Sequence, residues 1–175
     1  MQDLRERLQT TTPTARLQAC RALRPRDFAL LYAACAALPP LSLDELVPAG
    51  SDGEPVIFAG KNSLAAFSHF EKRFVRYGNE IFGYNHQTMA WLTGPGYFSA
   101  LAEENRRELL FDYDRIPTRA PEGWPPIREN RSGFSRLVFH NLHDYCRRVC
   151  DGVLIGSATR LGKPMNSYFI LARAK

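Results

Sequence analysis

The stretch "HNLHDYCRRVC", residues 140–150, places His140, His143, Cys146 and Cys150 at a spacing of H-x₂-H-x₂-C-x₃-C. All four side chains are zinc ligands by type, but structural zinc sites usually present their ligands as close pairs on turns. On an extended strand His140, Cys146 and Cys150 point to one face and His143 to the other; on a helix 143, 146 and 150 share a face. The neighbouring residues favour a strand. The expectation is therefore no metal here, with the cysteines as small buried apolar groups. A second candidate is "FDYDRIP" (111–117), whose Asp112 and Asp114 share one face of a strand. Such a pair can share a proton or hold a hard cation, and can equally sit solvated at a strand end.

The third candidate is "GYNHQ" (83–87), followed closely by "TGPGYF" (93–98). On a strand Tyr84, His86 and Thr88 alternate with Asn85, Gln87 and Met89, and in a barrel one set faces inward. Polar groups inside a barrel need partners: each other, water or the polar end of a ligand. The expected ligand-binding set is Tyr84, Asn85, His86, Gln87, Trp91 and Tyr97 with Arg73, while Phe82 and Phe98 supply apolar wall. A buried polar network tying strand ends together explains the same residues equally well. His86 is the one candidate general acid or base, because imidazole exchanges protons near neutral pH. The chain has no Gly-rich phosphate loop, no G-x-S-x-G and no Cys/His nucleophile signature.

These residues need elements to hold them. The 175 residues, 45% apolar and 23% charged, fit one soluble globular domain with a real core. The net charge of +5 is scattered, with small knots at "EKRFVR" (71–76) and "CRRV" (146–149). A nucleic-acid binder would show a continuous basic stripe, so no nucleic-acid partner is expected. The polar start "MQDLRERLQTTTPTARLQ" lacks an apolar run of signal-peptide length, and the longest apolar run (28–41) is too short to span a membrane. The expectation is a cytoplasmic protein without membrane contact, its four cysteines, Cys20, Cys35, Cys146 and Cys150, reduced.

Residues 1–48 read as a helical cap. "TPTARLQACRAL" opens on Thr-Pro, and "RPRDFALLYAACAAL" repeats the device with Pro25. Phe28, Leu31, Tyr32, Cys35 and Leu38 fall on one face, and Pro39-Pro40 stops the helix. Residues 55–175 read as short antiparallel strands. "SLAAFSHFEKRF" (63–74) is ambiguous, with Leu64, Phe67, Phe70 and Phe74 on a helical stripe. Gly94-Pro95-Gly96 suggests a type II turn joining a hairpin. The four prolines of 117–130 mark a loop. Strands are then expected at 134–141, 143–149, 152–160 and 166–173, with the last showing Tyr168, Ile170 and Ala172 on one face and Phe169, Leu171 and Arg173 on the other. The fold class is α+β: amino-terminal helices followed by an antiparallel β-barrel of about seven to eight strands.

"AALPPLSLDEL" (36–46) and the closing stretch 132–173, with Asp144, the pair Arg147-Arg148, "VLIG" and a final aromatic strand ending in Arg173, resemble the GxWxG-type family of bacterial proteins. Where that family carries its signature, this chain has "PAGSDG" (48–53). The resemblance implies a lipocalin-like barrel and assigns no activity.

Three functions remain open at this point. The first is a barrel that binds a small, mostly apolar ligand, with an anionic head given Lys72, Arg73 and Arg76 nearby, and no cofactor. The second is a small cyclase- or isomerase-type enzyme using His86. The third is an interaction module whose amino-terminal helices dock a partner through an exposed apolar face. Homodimerisation is left open.

Overall fold

The computed structural model describes residues 2–64, 68–88 and 90–174. Phe67 and Met89, named above, lie outside the described residues. Eight strands form a closed antiparallel barrel in chain order: β1 (Val56–Asn62), β2 (His69–Tyr77), β3 (Glu80–His86), β4 (Phe98–Glu103), β5 (Glu108–Asp112), β6 (Leu142–Cys150), β7 (Val153–Arg160) and β8 (Lys163–Arg173). Closure is made by β1 against β8. Three helices precede the barrel: α1 (Gln2–Thr10), α2 (Pro13–Ala22) and α3 (Pro25–Ala34).

The helices start where the sequence says. Thr12 caps α2, its hydroxyl accepting from the Ala15 N–H, and Pro13 and Pro25 take first-turn positions where no N–H is needed. The apolar face of α3 is covered. Phe28, Leu31 and Cys35 are buried against Val149, Val153, Ile155, Ile170 and Ala172 on the outer faces of β6, β7 and β8. The face expected to dock a partner is thus spent on the chain's own barrel. Outside the apolar contact, Arg147 lies over the Tyr32 ring and donates to Glu108, which also accepts from the Tyr32 hydroxyl.

The barrel interior forms a second core. Period-2 alternation turns Phe58, Phe74, Phe98, Phe111, Leu154, Phe169 and Leu171 inward. Aromatic packing is tight: a Cβ added at Gly156 would sit 2.1 Å from the Phe169 ring, so that ring lies across β7 where only glycine leaves room. The lower end is plugged by residues 41–47, which carry Leu41, Leu46 and Val47 into the same core around a 3₁₀ turn at Leu43–Glu45. Three arginines fix the plug. Arg76 donates to the Val47 carbonyl, Arg173 to those of Glu45 and Leu46, and Arg148 to the Glu45 carboxylate.

Three expectations change. The ambiguous segment 63–74 ends in a strand, with Phe70 and Phe74 at inward positions of β2. Gly94-Pro95-Gly96 is not a hairpin tip: β3 and β4 pair as Ile81↔Ala100 and Gly83↔Phe98, and residues 87–97, with a short helix α4 (Ala90–Thr93), bridge them. Residues 134–141 are not a strand. Ser135–Val138 form a short helix α5, and Phe139 stacks on Tyr113 with ring centroids 5.4 Å apart. With eight strands already closing the barrel, packing over its mouth decides that segment over its β-like composition.

Candidate functional site

The upper end of the barrel is open and holds a cavity of about 320 Å³. Its floor is Lys72, 2% exposed, on the inward face of β2. Phe70, Lys72 and Phe74 alternate along that strand, so the lysine is set between two phenylalanines by spacing alone. Register places Asn85 of β3 directly beside it. Tyr113, just beyond β5, and Asp144 of β6 come from the opposite wall. The Lys72 ammonium donates to Asn85 Oδ1 (2.8 Å), Asp144 Oδ2 (3.1 Å) and the Tyr113 hydroxyl. Those three bonds use every donor the ammonium has. Asn85 Nδ2 donates to the Gly96 carbonyl and to the Tyr113 oxygen. The amine also lies 4.8–5.7 Å from the centroids of Phe98, Tyr113, Phe169, Phe111 and Phe70.

The electrostatics follow from burial. Lys72 and Asp144 are 2% and 6% exposed and form a closed ion pair, so the floor is polar but carries no net charge. Burial, reinforced by the Asp144 carboxylate, pushes the Tyr113 phenol well above its ordinary range. Tyr113 therefore stays protonated and can donate to Asp144 Oδ2 at 3.1 Å. Such a floor presents an ammonium, a phenol, an amide and a carboxylate, their donors engaged with one another, to a molecule entering from above.

The walls turn apolar toward the mouth. Val138, Phe139, Leu142, Ala158 and Phe169 line it, and the exposed side chains of Leu64, Leu137 and Met165 rim it. Arg160 donates to the Leu137 and Val138 carbonyls and holds α5 in place over one side.

The residues singled out in sequence separate into two groups. Asn85 and Gln87 line the cavity. Tyr84 and His86 do not, because β3 turns Ile81, Gly83 and Asn85 inward and its even-numbered aromatics outward. Tyr84 instead packs under the Pro-rich loop, its ring 4.7 Å from Trp124 and 5.6 Å from Tyr97. Tyr97 is buried there, its hydroxyl donating to the Pro125 carbonyl. His86 is exposed on the outer wall beside Tyr84, so the enzyme reading that needs it in the cavity loses its base. Trp91, on α4, is 76% exposed. Arg73 faces outward and pairs with Glu71, and Arg76 is occupied by the plug, so of the three nearby cations only Lys72 reaches the cavity.

The His/Cys stretch is also divided. Cys146 faces the barrel interior, whereas a register shift between Arg148 and Cys150 turns Cys150 to the outer core with Val149. His140 and His143 lie at the upper rim of β5 and β6, beside Asp112 and Asp114. The sequence signal for Lys72 was the F-x-K-x-F alternation, hidden by the neighbouring charges of "EKRFVR".

Compared with known proteins, the chain matches no family model, no curated protein and no solved structure.

Proposed function

We propose that the barrel binds a small, mostly apolar molecule that ends in a neutral hydrogen-bonding group. The observation that carries this reading is the open cavity of about 320 Å³ running from an apolar mouth to the buried Lys72–Asp144–Tyr113–Asn85 floor. Ligand cavities are typically apolar with a few convergent polar groups and about 300–1,000 Å³ in size. This one is at the small end, suited to a bicyclic or short-chain molecule and too narrow for a haem. The head group is neutral because, at the floor, Asp144 already balances Lys72, while Arg160 also lines the cavity but donates to the Leu137 and Val138 carbonyls; at the floor a carboxylate would meet the Asp144 carboxylate as well as the ammonium. A ketone, lactone or phenol can take over one of the hydrogen bonds that Lys72 or Tyr113 makes within the floor without that conflict. In this reading the protein is a lipocalin-like carrier of the cytoplasm, within the GxWxG-type family that its ends resemble.

Thermal melting with matched neutral and carboxylate ligands tests the proposal. At a hundredfold excess over Kd a ligand stabilises by about 2.7 kcal/mol, or roughly 5–10 °C for a chain of this size. Short aromatic ketones, lactones or flavonoids should raise Tm by that order and their carboxylate counterparts should not. If no apolar compound raises Tm, and native mass spectrometry of freshly purified protein shows the bare chain alone, the reading fails.

A further inference from the structure

Asp112, Asp114 and His143 meet outside the cavity, on the outer rim of the wall formed by β5 and β6. β5 ends at Asp112, and Tyr113 turns into the barrel, so the two carboxylates flank it on the outer side. Asp112 and His143 are directly opposed across the β5–β6 ladder. Their side chains converge: His143 Nε2 lies 3.3 Å from Asp112 Oδ1 and 3.8 Å from Asp114 Oδ2. One donor atom from each of the three residues falls within 4.8 Å of the others.

These separations suit a shared cation better than direct bonding. Charge-assisted N–H···O bonds are about 2.7–2.9 Å long, and no hydrogen bond joins His143 to either carboxylate. Around an ion with ligand bonds of about 2.0–2.2 Å, neighbouring donors stand roughly 2.8–3.6 Å apart in octahedral or tetrahedral geometry; the 3.3 Å from His143 Nε2 to Asp112 Oδ1 falls in that range and the 3.8 Å to Asp114 Oδ2 lies just beyond it. The carboxylates are held in place by the backbone. Asp112 Oδ1 accepts from the Asp114 N–H at 2.9 Å, and Asp114 Oδ1 accepts from the Asn141 N–H at 3.1 Å.

Two further observations bear on the carboxylates. Among the described residues neither Asp112 nor Asp114 pairs with a lysine or arginine; the basic side chains beside them are histidines. His140 Nδ1 is fully buried with no hydrogen-bond partner, 3.4 Å from Asp114 Oδ1. A ring nitrogen in that position orients a metal-bound carboxylate, as outer partners of metal ligands do.

We propose that Asp112, Asp114 and His143 bind one divalent first-row transition-metal ion, with His140 as a positioning residue for Asp114. The donor set selects the class. Two carboxylates and an imidazole suit Zn²⁺, Mn²⁺ or Fe²⁺; Ca²⁺ and Mg²⁺ prefer oxygen-only ligands, and the buried thiols that would draw softer ions are elsewhere. The three residues are each 12–29% exposed, so the ion would be reached from solvent, with at least one coordination position left for water or a small ligand.

The test uses the full chain without added histidines, freed of metal by chelation and titrated with Zn²⁺ by calorimetry and with Co²⁺ by visible absorption. One equivalent of each should bind, Co²⁺ giving d–d bands and Zn²⁺ raising Tm. Asp114→Asn and His143→Ala should each weaken Zn²⁺ binding by more than 100-fold while melting like the metal-free parent. His140→Ala should weaken it by about 10–100-fold with the stoichiometry kept. Should either single variant unfold, Asp112→Asn supplies the same comparison. Absence of stoichiometric binding to the folded chain, or binding that survives Asp114→Asn and His143→Ala, overturns the proposal.

Discussion

A charged side chain taken out of water must have its hydration replaced bond for bond. Lys72 meets that demand with three acceptors and five aromatic rings, and Asp144 is in turn held by Lys72 and the Tyr113 hydroxyl. Removing one member strands the other. Lys72→Met should destabilise the fold by about 3–5 kcal/mol, because Asp144 is left as an uncompensated buried charge. Replacing both, as Lys72→Met with Asp144→Leu, should recover most of that loss, since an apolar pair fits the aromatic interior. Urea denaturation of the two single variants and the double variant reads the coupling. Simple additivity would show that the pair is not closed as described. A lysine like this is hard to see in sequence. Flanked by Glu71, Arg73 and Arg76 it reads as surface charge, and only the knowledge that 69–77 is a strand sorts the run into inward Phe70, Lys72 and Phe74 and outward Glu71 and Arg73. In sequence Asp144 stands out only within the family resemblance and Tyr113 not at all, and no local spacing links them to residue 72. Their meeting is made by barrel closure.

Elements were legible in proportion to how local their causes are. Pro13, Pro25 and the Pro39-Pro40 stop act within one turn of chain, and α2 and α3 sit where those residues put them. The turns "ENRR" (104–107) and "CDG" (150–152) were equally readable, since Glu103↔Glu108 and Cys150↔Val153 close around them; the last turn, expected over "LGKP" (161–164), is tighter, because Arg160↔Lys163 closes around 161–162 alone. Leu161 and Gly162 both take positive φ, as a two-residue hairpin turn requires. Segment 134–141 was misread because nothing local distinguishes a β-like run from one that must lie across a barrel mouth. β8 goes further than expected. Both of its faces are buried, Phe169 and Leu171 in the barrel and Tyr168, Ile170 and Ala172 against the helices. It also pairs with β1 and β7 at once, so it closes the barrel. A chain ending at Met165 loses Phe169, Ile170 and Leu171, worth about 5–9 kcal/mol together at 1.5–3 kcal/mol each. A whole domain is stable by only about 5–15 kcal/mol. The truncated chain should show no cooperative melting transition and no dispersed amide spectrum. A soluble, cooperatively melting product would mean that β1 and β7 are not joined through β8.

At the scale of the molecule, β6, β7 and β8 are one wall shared by two cores, and the wall's thiols and phenols report on both. Cys146 and Tyr113 belong to the barrel side, Cys20, Cys35 and Cys150 to the helix side. Burial pushes the Cys20 thiol up to about 12 and the Cys150 thiol up to about 11, and pushes Cys146 and Tyr113 well above their usual ranges. Tyr97, under the Pro-rich loop, is pushed up to about 12. Unfolded, the thiols titrate from 9.0 and the phenols from 10.0. Below pH 9 both states hold these protons and stability is fully present. As pH rises past 9 the unfolded chain gives up protons that the folded chain keeps, so each unit of gap removes about 1.4 kcal/mol of stability per group until the folded value is passed. For Cys150 the loss ends near 11 and for Cys20 near 12. Tm should therefore be level between pH 7 and 8.5 and fall by roughly 5 °C or more per pH unit above 9. A thiol reagent supplies the second reading. At pH 8 all four cysteines should react slowly, at the rate of unfolding, and above pH 10 reaction and loss of structure should rise together. A flat Tm up to pH 11 would show that these groups meet water in the folded state. Fast labelling of Cys20, Cys35 and Cys150 with Cys146 protected would locate the error on the helix side, leaving the barrel and its cavity as described. Fast labelling of Cys146 would place it in the barrel itself, where the cavity reading would fall with it.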